Sequence, residues 1–209
     1  MIAVPDPDVV FTDLGLAALA GYLGWRLWRA GRPGVVLMIG LASAAFWGAL
    51  FHALFPDQTA TPAGFAVWLC VAFSIAVVAE SVLDMTLSIV MAPRTLRRAI
   101  VTGYCILFIA IVLFVDQSFS TIVRLYAPAL ALGILATAAA ALRARSRGWA
   151  LVALGLALSA VAALLQQARV AIHPVYFDHN AVYHVVQAGA IGLLYLGLLR
   201  LNAPGSRPR

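Results

Sequence analysis

A chain of 209 residues with 64% hydrophobic and 11% charged side chains, a mean hydropathy of +0.98 and a net charge of +6 is unusually apolar. A soluble domain is about half apolar and about a quarter charged, so a disordered chain, a nucleic-acid-binding module and an ordinary soluble enzyme are all excluded. The positive charge is carried by 14 arginines with no lysine. It gathers at the ends of apolar runs, where membrane topology places it.

A membrane-spanning helix needs about 20 apolar residues, and seven runs approach or exceed that length. The first, 12–30, is expected to open at Thr12 and Asp13, where an acid suits the helix N-terminus. Arg26, Arg29 and Arg32 follow it, within the turn Gly31–Arg32–Pro33–Gly34. The second, 34–55, carries His52 one turn before its end at Pro56. The third, 64–91, holds Cys70, Glu80 and Asp84, and Arg94, Arg97 and Arg98 follow it. The fourth, 98–115, holds Cys105 and ends at Asp116. The fifth, 121–142, has Pro128 inside it, where a kink is expected, and leads to Arg143, Arg145 and Arg147. The sixth, 149–167, ends at Gln166, Gln167 and Arg169. The seventh, 180–200, opens after Asp178 and His179 and closes at Arg200.

The runs are continuously apolar and do not alternate, so helices are the spanning structure. The expected fold is all-α: residues 1–209 as a single transmembrane domain of seven helices. Arginine placement puts the N-terminus outside and the C-terminus in the cytoplasm. The acidic opening MIAVPDPDVVF is a poor signal peptide. The expected location is the bacterial inner, or plasma, membrane. Ala- and Gly-rich helices five and six suit close packing. Trp25, Trp28 and Trp149 fit an inner aromatic belt, and Trp68, Tyr176 and Tyr183 an outer one. Cys70 and Cys105 lie in opposite halves and read as small buried hydrophobes.

His52, His173, His179 and His184 all fall toward the outer side. At about 1.5 Å rise per residue, His52 and His184 lie roughly 5–8 Å below the outer boundary. Asp13, Asp57 and Asp178 share that layer. Ionisable groups inside a membrane are expensive, so a cluster at one depth marks a candidate site. Histidine with carboxylate support suits zinc, whose bound water becomes hydroxide near neutral pH. His52, His179 and His184 are the candidate ligands, and Asp13 and Asp57 the candidate proton acceptors. Asn180 is placed to orient a ligand without binding metal. Interfacial hydrogen bonding is the plainer role for the same histidines.

Glu80 and Asp84, four residues apart on one face, reach from mid-membrane to the inner half. They suit a proton or cation path or a second polar site; equally, Asp84 can reach the inner arginines. Gln166, Gln167 and Arg169 suit either a cavity entrance or the interface. No Gly-x-Ser-x-Gly elbow, phosphate loop or dinucleotide fingerprint occurs in the chain.

The segments FHALFPD (51–57) and FDHNAVYHVVQ (177–187), set among seven helices, resemble the superfamily of alkaline ceramidases and progestin/adipoQ receptors. That resemblance implies a zinc-dependent lipid amide hydrolase. In the superfamily a helix-two histidine and an HxxxH pair on helix seven hold the metal. A serine four residues before the first histidine and an aspartate on helix three complete the site. His52 matches the helix-two histidine and His184 the second histidine of the pair. Asn180 stands at the first position, with His179 beside it, and Gly48 takes the place of the serine. No aspartate opens helix three; Asp57 precedes it. The expected function is a membrane-embedded, zinc-dependent hydrolase acting on a lipid amide or ester near the outer interface, with membrane lipid as its substrate. The alternative is a non-catalytic receptor-like, scaffold or small-solute transport protein, in which Glu80 and Asp84 matter more than the histidines.

Overall fold

The computed structural model describes residues 6–55, 61–91, 93–173 and 176–201. They form seven α-helices: α1 Pro7–Arg29, α2 Val35–Leu54, α3 Pro62–Val90, α4 Arg94–Phe114, α5 Phe119–Ala144, α6 Arg147–Gln167 and α7 His179–Leu201. Six of them, α2 through α7, are long and apolar enough to cross a membrane. α1 has 23 residues, but Asp8, Asp13, Arg26 and Arg29 dilute its apolar content.

Most helices begin before their apolar runs, because a first turn is set by capping chemistry. Thr61 accepts from the Gly64 N–H just ahead of Pro62, Ser118 from Thr121 N–H, and Ser146 from Trp149 N–H. Asp178 serves α7 in the same way, accepting from the N–H groups of Asn180 and Ala181 at 2.8 and 2.9 Å. α1 starts at Pro7, so Thr12 and Asp13 do not open it; they lie in its second turn. α2 follows Gly34, whose φ of +87° favours glycine and where any side chain would run into Leu198. Pro128 sits within an unbroken α5.

Packing runs α1–α2, α2–α3, α3–α5, α5–α6, α6–α7 and back from α7 to α1, a closed ring of six helices. α4 lies outside the ring against α3 and, more lightly, α5, where the Tyr104 hydroxyl donates to the Leu125 carbonyl. Inside the ring Leu16, Met38, Val82, Leu156 and Leu194 meet from five helices. A second cluster joins Val71, Phe108 and Ile122 of α3, α4 and α5. The most extensive pairing is α6 with α7. A side chain on Gly197 would stand 2.8 Å from Val152 N and 2.9 Å from the Gly148 carbonyl, so the two backbones nearly touch there.

The ring has a histidine end and an arginine end, each opening into a cavity. Asp84 lines the arginine-end cavity, and its Oδ1 lies 2.9 Å from Arg97 Nε, so it pairs with an arginine as one sequence reading held. Glu80, half-buried, lines neither cavity. Trp68 is not an exposed belt residue. It is buried, donates to the Gln117 carbonyl at 2.9 Å and walls the histidine-end cavity.

Candidate functional site

The histidine-end cavity measures about 610 Å³. One wall is apolar, with Leu41, Phe51, Trp68, Val71 and Ile122. The opposite wall is a polar stripe on α7: Asn180, Tyr183, His184 and Gln187. Their spacing of three, four and seven residues keeps them on one helix face and carries polarity about 10 Å down the bundle. α6 adds Gln166 at the upper level and Ser159 below; Gln166 donates to Asn180 Oδ1 at 2.9 Å. Asp13 comes from α1, and Gly48 and His52 from α2.

His184, 7% exposed, sits between two side chains of α1. Its Nε2 lies 3.0 Å from Asp13 Oδ1, and its Nδ1 lies 2.9 Å from Thr12 Oγ1. The Thr12 hydroxyl also lies 2.8 and 3.0 Å from the carbonyls of Asp8 and Val9, and it has one proton to give. With that proton on a carbonyl, Thr12 accepts from Nδ1–H; with it turned to the ring, Thr12 donates to Nδ1 and Nε2 carries the hydrogen. In either case a hydrogen bond between Nε2 and Asp13 Oδ1 needs one proton between them, on the carboxyl or on the ring. Asp13, also buried, turns its other oxygen toward Gly48, where a Cβ would come within 2.8 Å of Oδ2. Gly48 thus leaves room for the Asp13 carboxyl.

Two deeper groups complete the floor. Gln187 and Ser159 are 4% and 5% exposed and line the cavity. Among the described residues neither has a hydrogen-bond partner. Their polar atoms are not sealed from the cavity, so both can meet a polar group held in it. At the mouth, Asp116 accepts from the Thr121 hydroxyl and from the N–H and hydroxyl of Ser118, which holds its carboxyl below the usual range. Asp178 N–H donates to Asp8 Oδ2 at 2.9 Å, fastening the start of α7 to α1.

Of the residues expected at the site, Asp13, His52, His184 and Asn180 share this cavity. His179 does not line it and instead stands 3.5 Å from Asp178 Oδ2. It lies five positions before His184, which turns it about 140° away on a regular helix. Asp57 lies outside the described residues. Glu80 and Asp84 belong elsewhere. Thr12 was expected only as a cap, and Ser159 and Gln187 were not anticipated. The stripe 180–184–187 was the available signal for Gln187.

Zinc needs three or four ligands at about 2.0–2.3 Å. Among the described residues no group of three His, Cys, Asp or Glu side chains is gathered to hold an ion. His184 is engaged on both nitrogens, and His52 Nδ1 is 3.7 Å from Asp6 Oδ2. Among the described residues His52, His179 and His184 are not gathered as one ligand set.

No curated protein and no solved structure matches the chain. A family model does, over residues 9–203, which takes in nearly all of the seven helices and every described side chain of the cavity. The chain belongs to the family of unknown function DUF6962.

Proposed function

We propose that this is a seven-span membrane protein that takes a lipid-derived amphiphile into the histidine-end cavity and hydrolyses its amide or ester bond. α1 counts as a span in this reading because it is seated between α2 and α7 and buries Leu16, Ala20 and Leu27 in the shared core. The arginine end then faces the cytoplasm and the histidine end the outside.

The observation that carries the reading is the Asp13–His184 contact at 3.0 Å in the wall of a cavity lined by both apolar and polar side chains. The acyl chain lies along Leu41, Val71 and Ile122, and the carbonyl comes to Asp13. Water attacks the carbonyl carbon as Asp13 Oδ2, the oxygen not facing His184, takes its proton. The C–N or C–O bond breaks, and that proton passes to the leaving amine or alcohol. The products are a fatty acid and the freed head.

The test is release of fatty acid from N-acyl and O-acyl lipids by protein purified in neutral detergent, read by mass spectrometry. Asp13→Asn and His184→Gln are expected to lower turnover about 100-fold or more. Undiminished turnover in Asp13→Asn overturns the catalytic assignment. Metal content is measured on the same sample; one zinc per chain would return His52 and His184 to ligand roles.

A second reading, binding without turnover, is favoured by one observation: both His184 nitrogens are satisfied within the protein. Native mass spectrometry showing a co-purified lipid that is never cleaved would select it.

A further inference from the structure

The larger cavity, about 1030 Å³, opens at the arginine end, across the ring from the proposed site. Four arginines line it from three separate stretches: Arg32 between α1 and α2, Arg145 and Arg147 where α5 gives way to α6, and Arg200 near the end of α7. Asp84 is the carboxylate in its lining, and Arg97 already pairs with it. Among the described residues no carboxylate pairs with any of the four.

Arg32 Nε is buried and has no hydrogen-bond partner among the described residues. A buried guanidinium N–H without an acceptor is costly, and an anion supplies one. The backbone adds to the positive field. α2 and α6 both begin at this cavity, and α2 has no side-chain cap on its first N–H groups. Arg145 occupies the α5 C-cap with φ of +46°, where glycine is the usual residue. A guanidinium is thus kept at a position that backbone geometry would give to glycine. The remaining wall includes Leu37, Met85 and Trp149, which suits a ligand with an apolar part.

We propose that this cavity binds a phosphate group, either the headgroup of a phospholipid or a soluble phosphate compound. Guanidinium forks match phosphate oxygens in pairs, and four of them with two helix N-termini suit a group carrying more than one negative charge. The site is independent of the chemistry at the histidine end.

The full chain, purified in neutral detergent, is titrated with dioctanoyl phosphatidic acid, pyrophosphate and, as the phosphate-free control, dioctanoylglycerol. Thermal unfolding is the readout. Phosphatidic acid is expected to raise the unfolding temperature and dioctanoylglycerol to leave it unchanged. Pyrophosphate acting alike would mark a soluble phosphate compound as the ligand; pyrophosphate without effect would mark the lipid headgroup. Arg32→Gln/Arg147→Gln is expected to weaken binding at least tenfold, whereas Arg94→Gln/Arg98→Gln, outside the cavity, keeps it. Arg145→Gly guards against misfolding, since glycine suits that backbone: it is expected to fold at least as well and still bind more weakly. No shift with either phosphate probe, or equal loss in the Arg94/Arg98 control, overturns the proposal.

Discussion

Gly48 and Asp13 compete for one volume. A methyl on residue 48 would stand 2.8 Å from Asp13 Oδ2, so the carboxyl must move and its bond to His184 must bend. Gly48→Ala is expected to lower turnover and to cost about 1–3 kcal/mol by overpacking. Asp13→Ala removes the obstacle, so the double variant should be no less stable than Asp13→Ala alone. Thermal unfolding of the four proteins checks this, and additive losses would show that the two residues do not share the space. Asp116 gives a separate test. Its carboxyl titrates below the usual value because Thr121 and Ser118 donate to it. Its contribution is complete above the unfolded aspartate pKa of about 3.9 and is lost as pH falls through the lower folded value. Asp116→Asn is expected to flatten the acid limb of the stability profile below about pH 4; an unchanged limb would count against the network. At this scale the sequence was informative about depth and poor about direction. Matched depth found His52, His184 and Asp13. It also admitted His179, which the helical turn sends away from the cavity. It passed over Ser159, whose place depends on which face of α6 meets α7.

Among elements, α6 and α7 are the most closely joined, and glycine makes that possible. Gly197→Val would push into the backbone of α6 and is expected to cost about 1–3 kcal/mol with loss of cavity binding. Gly192→Val, on the same helix with open space beside it, should be close to neutral. Equal effects from the two would mean that the close approach carries no special energy. The apolar runs marked all seven helices, because hydrophobic length is a direct reading of composition. Their starts were less legible: the N-terminal turns are polar, and capping by Thr61, Ser118, Ser146 and Asp178 decides where the backbone turns helical. α1 shows the limit of hydropathy most clearly. Asp13 weakens its apolar signal, yet the same residue is buried against His184.

The arrangement of the whole molecule was the least legible level. A sequence orders helices along a chain but does not say which ones are neighbours. The ring passes from α3 to α5 and leaves α4 outside, a choice that rests on complementary side-chain packing across elements. Ring closure by the first and last helices has a consequence for biosynthesis. Asp13 is made early, within α1, but His184 arrives only with α7, after every other helix has left the ribosome. Until then a carboxyl destined for burial has no imidazole beside it, and the cavity lacks its polar wall. The step that closes the ring is therefore also the one that completes the site, so a chain stopped before α7 would carry its unpaired acid as a mark of incompleteness.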